Sequence, residues 1–252
     1  MTDLIVPARF NGPARSGNGG FVCGTLAERV PGAAAVEVTL RTPPPLDTPM
    51  TVTGGDGITT LGMGDVVVAT ARPVEEDPST GSGHRLEAVD EVPPDVAAAA
   101  MLGYPGLRGH PCPTCFACGP DRNEGDGLRI FPGPIDGDRG RVASLWVPAP
   151  SHAESTDLVD GVQRCGLGVT WASLDCIGGW SEDLEGRPMV LGRMTARVDA
   201  RPVVGEPHVV VGRALGRDGR KSFTASTLYD ADGRVVASAR HVWLQVDPAA
   251  FN

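Results

Sequence analysis

Apolar and polar residues alternate with a period of two along much of the second half of the chain, which is typical of strands with one buried face. A helix-like stretch from Val169 to Trp180 precedes these strands. The dipeptides Asp218-Gly219 and Asp232-Gly233 interrupt the alternation, at places where hairpin turns require positive φ angles. The strands that the pattern predicts are Val190–Asp199, His208–Leu215, Phe223–Tyr229 and Val235–Val246.

The first half shows a shorter version of the same order. A helix is predicted from about Gly20 to Arg29. The segment from Pro73 to Arg108 is rich in Pro, Glu, Gly and Ala, and is predicted to close the first unit and link it to the second. The predicted strands are Val36–Arg41, Met50–Thr53, Ile58–Leu61 and Val66–Ala71. A helix followed by an antiparallel meander in each half predicts an α+β fold, with the helix packed on one face of a sheet.

The two halves also repeat a short sequence. Residues 67–74 read Val-Val-Ala-Thr-Ala-Arg-Pro-Val and residues 235–242 read Val-Val-Ala-Ser-Ala-Arg-His-Val, so they differ at the fourth and seventh positions alone. Upstream, an alternating run and two prolines follow the same order and spacing in both halves. These two sets are Val36, Val38, Leu40, Pro44 and Pro49, and Met194, Ala196, Val198, Pro202 and Pro207. The pattern predicts a tandem repeat, with one unit at 1–108 and the other at 109–252.

Length and charge narrow the possible functions. The chain has 252 residues, enough for two small domains, and a formal net charge of −9. Nucleic-acid binding is not expected, because phosphate backbones are bound by clustered positive charge. No apolar run approaches the ~20 residues needed to cross a bilayer, and residues Met1 to Leu4 lack the pattern of a signal peptide. A cytoplasmic protein with reduced thiols is therefore expected.

Several motifs resemble those of hotdog proteins, in which a sheet wraps around a central helix. The Cys-Phe-Ala-Cys-Gly sequence of residues 115–119 is similar to the opening of many thioesterase-superfamily domains. Ser16–Phe21 resembles the turn that begins the helix in single-unit thioesterases, with Asn18 where those have His. Trp171–Asp175 and Tyr229–Ser238 resemble a helix segment and a hairpin of acyl-CoA thioesterase II, an enzyme of two fused hotdog units. The resemblance implies a double hotdog with a degenerate first unit.

The resemblance to acyl-CoA thioesterase II also implies an active site. Asp175 would serve as the base that activates water, although Leu174 intervenes before it and departs from the family's motif. His241 stands where the family has a catalytic Gln, and would orient the water or the base. Thr195 is the nearest counterpart of the family's catalytic Thr. Pro73 occupies the place of His241 in the first unit, so only the second unit would retain this group.

Thioester hydrolysis further requires donors for an oxyanion, which are often backbone N–H groups at a helix N-terminus. The residues predicted to bind substrate or oxyanion are Asn18, Gly19, Gly20, Gly178 and Gly179. Simpler interpretations stand beside these. Asp175 could cap a helix, His241 could be an exposed strand residue, and Gly19-Gly20 could be only a turn.

A run of cysteines suggests a metal site. Structural zinc usually requires a second ligand pair from a distant part of the chain, and Cys165 and Cys176 are not spaced as such a pair. The sequence therefore predicts no metal and no cofactor. The residues of the run are His110, Cys112, Cys115 and Cys118.

Three function hypotheses follow. The first is hydrolysis of acyl-CoA or another acyl thioester, with Arg217, Arg220 and Lys221 contacting CoA phosphates or forming a solvated turn. The second is a hotdog hydratase or dehydratase, which would use a His–Asp pair, although the chain lacks an Asp-x-x-x-x-His signature. The third is a catalytically inactive acyl-CoA-binding protein. Whether Asp175 and His241 face one apolar tunnel distinguishes them. A homodimer of double-hotdog chains is a further expectation.

Overall fold

A computed structural model of the chain describes residues 2–74, 86–159, 161–247 and 249. Within these residues the backbone forms one large antiparallel sheet, a small two-stranded sheet and three α-helices. The helices are α1 (Gly19–Ala27), α2 (Pro94–Met101) and α3 (Leu167–Trp180). The strands of the first half are β1 (Thr2–Leu4), β2 (Ala35–Leu40), β3 (Met50–Gly55), β4 (Ile58–Met63) and β5 (Val66–Val74). Those of the second half are β6 (Gly133–Ile135), β7 (Asp138–Trp146), β8 (Ala153–Val159), β9 (Val162–Cys165), β10 (Met189–Val198), β11 (His208–Asp218), β12 (Lys221–Tyr229) and β13 (Val235–Gln245).

The large sheet runs through both halves without a break. Its strand order is β1-β3-β4-β5-β2-β10-β13-β12-β11-β7-β6, and β8 pairs with β9 separately. Strands β2 and β10 meet at the junction of the halves, where Val38 lies opposite Met194 and Val36 lies opposite Ala196. All four side chains are buried, because the alternation of each strand directs them to the same core-facing side. The prediction of an α+β chain built on antiparallel strands is confirmed.

The repeated sequence lies on corresponding strands. Residues 67–74 fall on β5 and residues 235–242 on β13. Pro73 lies opposite Val36 in the first half, and His241 lies opposite Met194 in the second. The register therefore pairs the same repeat positions in both halves. The predicted hairpin turns are also present, with Gly219 and Gly233 at φ angles of 55° and 75°.

Two helices pack against each other on the core side of the sheet. Helix α1 contacts β2, β5 and β10, and helix α3 contacts β10 through β13. From Gly168 to Trp180 every residue of α3 is buried, which explains why its sequence shows no polar face. The helices approach closely because glycines lie between them. A Cβ atom on Gly20 would come within 2.8 Å of the Trp171 carbonyl oxygen.

The N-termini of these two helices differ. Asn18 caps α1, and its side-chain Oδ1 accepts a hydrogen bond from the N–H of Phe21 at 2.9 Å. The corresponding residue of α3 is Gly166, which has no side chain to cap the helix. Helix α3 begins at Leu167, so Asp175 lies in its interior and does not cap it. The interpretation of Asp175 as a cap of its own helix is therefore wrong.

The predicted linker is the part of the chain where the structure differs most from expectation. It contains α2, which packs on β6, β7 and β11 of the second half. Pro94 begins this helix, and four consecutive alanines form half of its eight residues. Residues 75–85 of the linker lie outside the described residues. Among the described helices the longest has 14 residues, and none is long and apolar enough to cross a membrane.

Candidate functional site

An apolar cavity of about 330 Å³ lies at the N-terminal end of α1. Its walls come from the start of β10, the end of β13, the end of β2 and the Cys-Phe-Ala-Cys loop that precedes β6. Hydrophobic side chains form most of the lining, among them Leu40, Leu184, Met189, Leu191, Trp243 and Leu244. The cavity also reaches the Asn18, Gly19 and Asp175 positions that the sequence singled out. It is therefore a mainly hydrophobic space with a few polar groups at one end, which is typical of small-molecule sites.

Asp175 brings a buried carboxyl group to this cavity. Asp175 is only 2% exposed. Its Oδ2 atom accepts hydrogen bonds from the backbone N–H of Gly20 at 2.8 Å and from Asn18 Nδ2 at 3.1 Å. Its Oδ1 atom has no hydrogen-bond partner among the residues that the structure describes. Burial raises the pKa of Asp175 to about 7 and the nearby Cys115 adds to the increase, whereas the Gly20 and Asn18 hydrogen bonds oppose it. The carboxyl group is thus held through one oxygen, while the other is buried without a partner among the described residues.

The N-terminus of α1 supplies the groups that hold Asp175. Asn18 has both ends of its amide engaged, since Oδ1 caps the helix and Nδ2 donates to Asp175. The N–H of Gly20 donates to the same carboxylate oxygen. The N–H of Gly19 has no acceptor within the described part of the chain, and Gly19 lines the cavity. Of the two glycines, Gly20 therefore positions the acid and Gly19 keeps a free donor.

Three cysteines lie beside this carboxyl group. The Sγ atoms of Cys115, Cys118 and Cys176 are all within 4.8 Å of one another. Hydrogen bonds from the Cys118 and Cys176 thiols place the pKa of Cys115 well below its usual value. The sequence had grouped Cys112 with Cys115 and Cys118. In the structure the third sulfur of the group comes instead from Cys176 on α3. The sequence lacks a signal for this grouping, because it depends on how the loop folds against the helix.

His241 lies on the buried face of β13 but outside the cavity lining. It is 2% exposed, so the interpretation as an exposed strand residue is wrong. Its Nδ1 is 3.1 Å from Thr224 Oγ1, and a Cβ atom on Gly178 would be only 2.8 Å from the same nitrogen. The imidazole therefore occupies space under the C-terminal half of α3. Of these two residues, Asp175 alone is among those that line the cavity described above.

We expect His241 to make the stability of the fold sensitive to acid. Burial lowers its pKa from 6.5 to about 4. Between these pH values the unfolded chain then binds more protons than the folded chain. The stability that depends on a neutral His241 is therefore complete above about pH 6.5 and is lost as the pH falls toward 4. The free energy of unfolding would be measured in urea at about pH 7.5 and at about pH 4.5. Between these two pH values it should decrease by about 2–3 kcal/mol less in His241→Gln than in the wild type.

The same comparison controls for other groups. Burial also lowers the pKa values of His110, His152 and His208, and these residues are unchanged in the variant. Equal losses of stability in the two proteins would show that His241 is not the group responsible.

The remaining predicted site residues lie away from the cavity. Thr195 pairs with Glu37 and Arg240 in the sheet and points away from the core side, since Met194 and Ala196 on either side of it are buried. Gly178 and Gly179 lie in the last turns of α3, packed on His241 and Trp243, where their N–H groups belong to the helix.

The basic residues form part of the β11–β12 hairpin. Arg217 is ion-paired with Glu182, and Arg220 Nη2 donates to the backbone oxygen of Gln245 at 3.0 Å. Lys221 is exposed. Gln245 is the neighbour of Leu244 and Val246, which line the cavity, so the hairpin borders that end of it.

Comparisons with known proteins identify the fold. Neither a family profile nor a curated protein sequence matches the chain. Among solved structures, the tesB protein of Mycobacterium avium subs paratuberculosis is 11% identical with a TM-score of 0.54, covering 94% of this chain and 90% of that one. A candidate thioesterase from Novosphingobium aromaticivorans is 13% identical with a TM-score of 0.59, covering 97% and 95%. A conserved protein with hot dog fold from Alicyclobacillus acidocaldarius is 12% identical with a TM-score of 0.50, covering 96% and 92%. The chain therefore has the hotdog fold.

Proposed function

We propose that this chain hydrolyses an acyl thioester, with Asp175 as the general base. The observation that carries the proposal is the carboxyl group itself. It is buried at the wall of a mainly apolar cavity, one oxygen is fixed by Gly20 and Asn18, and the other has no partner among the described residues. A carboxylate held in this way can accept a proton from a water molecule in the cavity. The structural neighbour from Novosphingobium aromaticivorans is described as a candidate thioesterase, which agrees with this chemistry.

The reaction needs two groups from the protein. Asp175 takes a proton from water as the oxygen of that water attacks the thioester carbonyl carbon. The negative charge that develops on the carbonyl oxygen is stabilised by the free N–H of Gly19 and by the positive end of the α1 dipole. The tetrahedral intermediate then expels the thiol, which receives the proton, and a carboxylic acid remains. Asn18 acts as a positioning residue, because its amide fixes the orientation of Asp175.

The cavity favours a modest acyl group over a whole cofactor. Its volume of about 330 Å³ lies at the lower end of the ~300–1,000 Å³ typical of small-molecule sites. A CoA carrier would therefore extend outside the cavity. The β11–β12 hairpin, which borders the cavity through Gln245, offers Arg220 and Lys221 for its phosphates. Arg217 is the weaker candidate because Glu182 already neutralises it.

The proposal includes the double-hotdog architecture, with units at 1–108 and 109–252. The matching register of β2 with β5 and of β10 with β13 supports it, as does the pairing of β2 with β10 around Glu37 and Thr195. These two residues are equivalent positions of the sequence repeat, and equivalent strands meet at them in antiparallel fashion. The packing of α2 on the second half favours a boundary earlier than 108. The cytoplasmic location and the homodimer stay predictions.

A panel of acyl-CoA substrates tests the proposed reaction. We expect steady release of free thiol that is greatest for short and medium acyl chains and falls for long ones, because the cavity is small. Thiol release would be measured at matched protein concentration for acetyl-, hexanoyl- and palmitoyl-CoA. Binding of these ligands without any thiol release would contradict hydrolysis and favour an acyl-CoA-binding protein. Hydration of an enoyl-CoA, followed by its absorbance, would favour a hydratase instead.

A further inference from the structure

We infer that Cys115, Cys118 and Cys176 form a binding site for a thiolate-preferring metal ion, with zinc as the fitting example. The three sulfur atoms are all buried and lie within 4.8 Å of one another. They come from two distant parts of the chain, a Cys-x-x-Cys loop and helix α3. The inference does not depend on the proposed hydrolysis, because it concerns the sulfur atoms and not the carboxyl group.

The sulfur positions match the size of a zinc ion. Tetrahedral zinc with Zn–S bonds of ~2.3 Å separates its sulfur ligands by about 3.8 Å. The Sγ atoms of Cys115 and Cys176 are 3.7 Å apart. A disulfide would require the sulfurs to approach to about 2 Å, so the observed separation suits ligands that share an ion. The Sγ atom of Cys118 lies within 4.8 Å of both.

The loop that carries two of these cysteines is tightly turned. The N–H of Gly119 donates to the carbonyl oxygen of Cys115 at 2.9 Å. A Cβ atom at position 119 would lie 2.5 Å from both the Cys115 nitrogen and the Pro113 oxygen, so only glycine fits there. The turn folds Cys115 and Cys118 toward the same side, which is what binding of one ion by a Cys-x-x-Cys loop requires.

Each sulfur atom also has an N–H donor nearby. Asn18 Nδ2 is 3.8 Å from the Sγ atoms of both Cys115 and Cys176. His110 Nε2 is 3.3 Å from the Sγ atom of Cys118. Such donors stabilise the negative charge of metal-bound thiolates. Because Asn18 also donates to Asp175, its remaining N–H is shared between Cys115 and Cys176, while His110 serves Cys118.

His110 acts as one of these donors and not as the fourth ligand. Its Nδ1 atom accepts a hydrogen bond from the backbone N–H of Cys112 at 2.8 Å. In the neutral ring the proton then belongs to Nε2, which is the atom that faces Cys118. The fourth position of the ion is left for solvent or for a ligand in the cavity, since all three cysteines line it.

The sequence predicted no metal because the chain lacks a second ligand pair at the expected spacing. Spacing along the sequence does not decide which cysteines are close together in the folded chain. Cys176 supplies the third sulfur from α3, and Cys112 is not part of the group. A set of three cysteines with an open position is complete without a second pair.

Metal analysis of the purified full-length chain tests the inference. The protein would be equilibrated with zinc under reducing conditions, separated from free metal, and analysed by mass spectrometry for zinc per chain. We expect about one zinc ion per wild-type chain. Cys176→Ser should lose most of it, whereas Cys112→Ser and Cys165→Ser should retain it. Cys165 is a matched control because it is also a buried free cysteine, and it lies outside the group.

Cobalt provides a second measurement that does not depend on variants folding. Titration of the wild type with Co²⁺ should produce the strong visible bands of a tetrahedral ion and the near-ultraviolet bands of sulfur-to-metal charge transfer. A wild-type chain that binds neither zinc nor cobalt in this way would overturn the inference. Loss of zinc in Cys112→Ser, with retention in Cys176→Ser, would overturn this choice of ligands.

Discussion

Replacing Asp175 by Asn should reduce thioester hydrolysis by roughly 10²–10⁴-fold, because an amide cannot take a proton from water. The change keeps the shape of the side chain. The amide oxygen of the substituted side chain can still accept the hydrogen bonds of the Gly20 N–H and the Asn18 amide, so the contact between α1 and α3 is retained. Hydrolysis of hexanoyl-CoA, followed by free thiol release under steady-state conditions, provides the measurement.

Two controls distinguish the loss of the base in Asp175→Asn from effects of altered stability and altered charge. The melting temperature of Asp175→Asn should lie close to that of the wild type, since a buried carboxyl group becomes a neutral amide of equal size. Asp95→Asn, at an exposed position in the first turn of α2, removes the same charge far from the cavity and should keep wild-type rates. Wild-type rates in Asp175→Asn would remove this residue from the mechanism.

Replacing Gly20 by Ala should destabilise the fold by about 2 kcal/mol or more, although alanine favours helices over glycine by ~1 kcal/mol. The added Cβ atom would lie 2.5 Å from the Asp175 Cβ atom and 3.0 Å from the Ala172 Cα atom. Both atoms belong to the buried helix α3, and rotation of a side chain cannot move a Cα or Cβ atom away. The helices α1 and α3 must therefore separate. Overpacking of this kind typically costs about 1–3 kcal/mol, and here it meets backbone atoms.

Thermal unfolding measures this effect. For a chain of this size, about 2 kcal/mol corresponds to a melting temperature roughly 4–8 °C lower. Hydrolysis should fall as well, because separation of the helices moves the Gly20 N–H away from the carboxyl group. Gly54→Ala is the matched control, since a Cβ atom at that exposed strand position meets nothing within 4 Å. An unchanged melting temperature in Gly20→Ala would show that the two helices are less tightly packed than described.

The sequence predicted the backbone elements well where the signal was local. Period-two alternation located β10 to β13 to within a few residues, and the Asp-Gly dipeptides located their turns. The helix α3 was predicted from Val169 to Trp180, and it begins two residues earlier, at Leu167. The helix α2 was missed because the segment that contains it was interpreted as a linker from its overall composition, although Pro94 at the first position and the four alanines favour a helix, which packs on β7.

The candidate site was predicted less completely, because it depends on contacts between distant segments. Asp175 and Asn18 were both singled out, but the hydrogen bond between them joins residues 157 positions apart and follows only from the pairing of α1 with α3. His241 and Thr195 were assigned by resemblance to the catalytic residues of a family, and such a match does not fix their distance to the cavity. The grouping of Cys176 with the loop cysteines lacked a sequence signal for the same reason.

The unequal helix N-termini have a consequence for stoichiometry. Asp175 is the ninth residue after the N-cap of α3, and the ninth residue after the N-cap of α1 is Ala27. The carboxyl group therefore comes from one half and the helix terminus that holds it from the other, with no reciprocal copy at these two positions. In a chain that arose by gene duplication, one half would have kept the carboxyl group and the other half the helix N-terminus, whereas each subunit of a symmetric ancestor carried both. Under the proposed function, each chain would hydrolyse one acyl thioester at a time, whereas a symmetric pair of subunits would offer two sites.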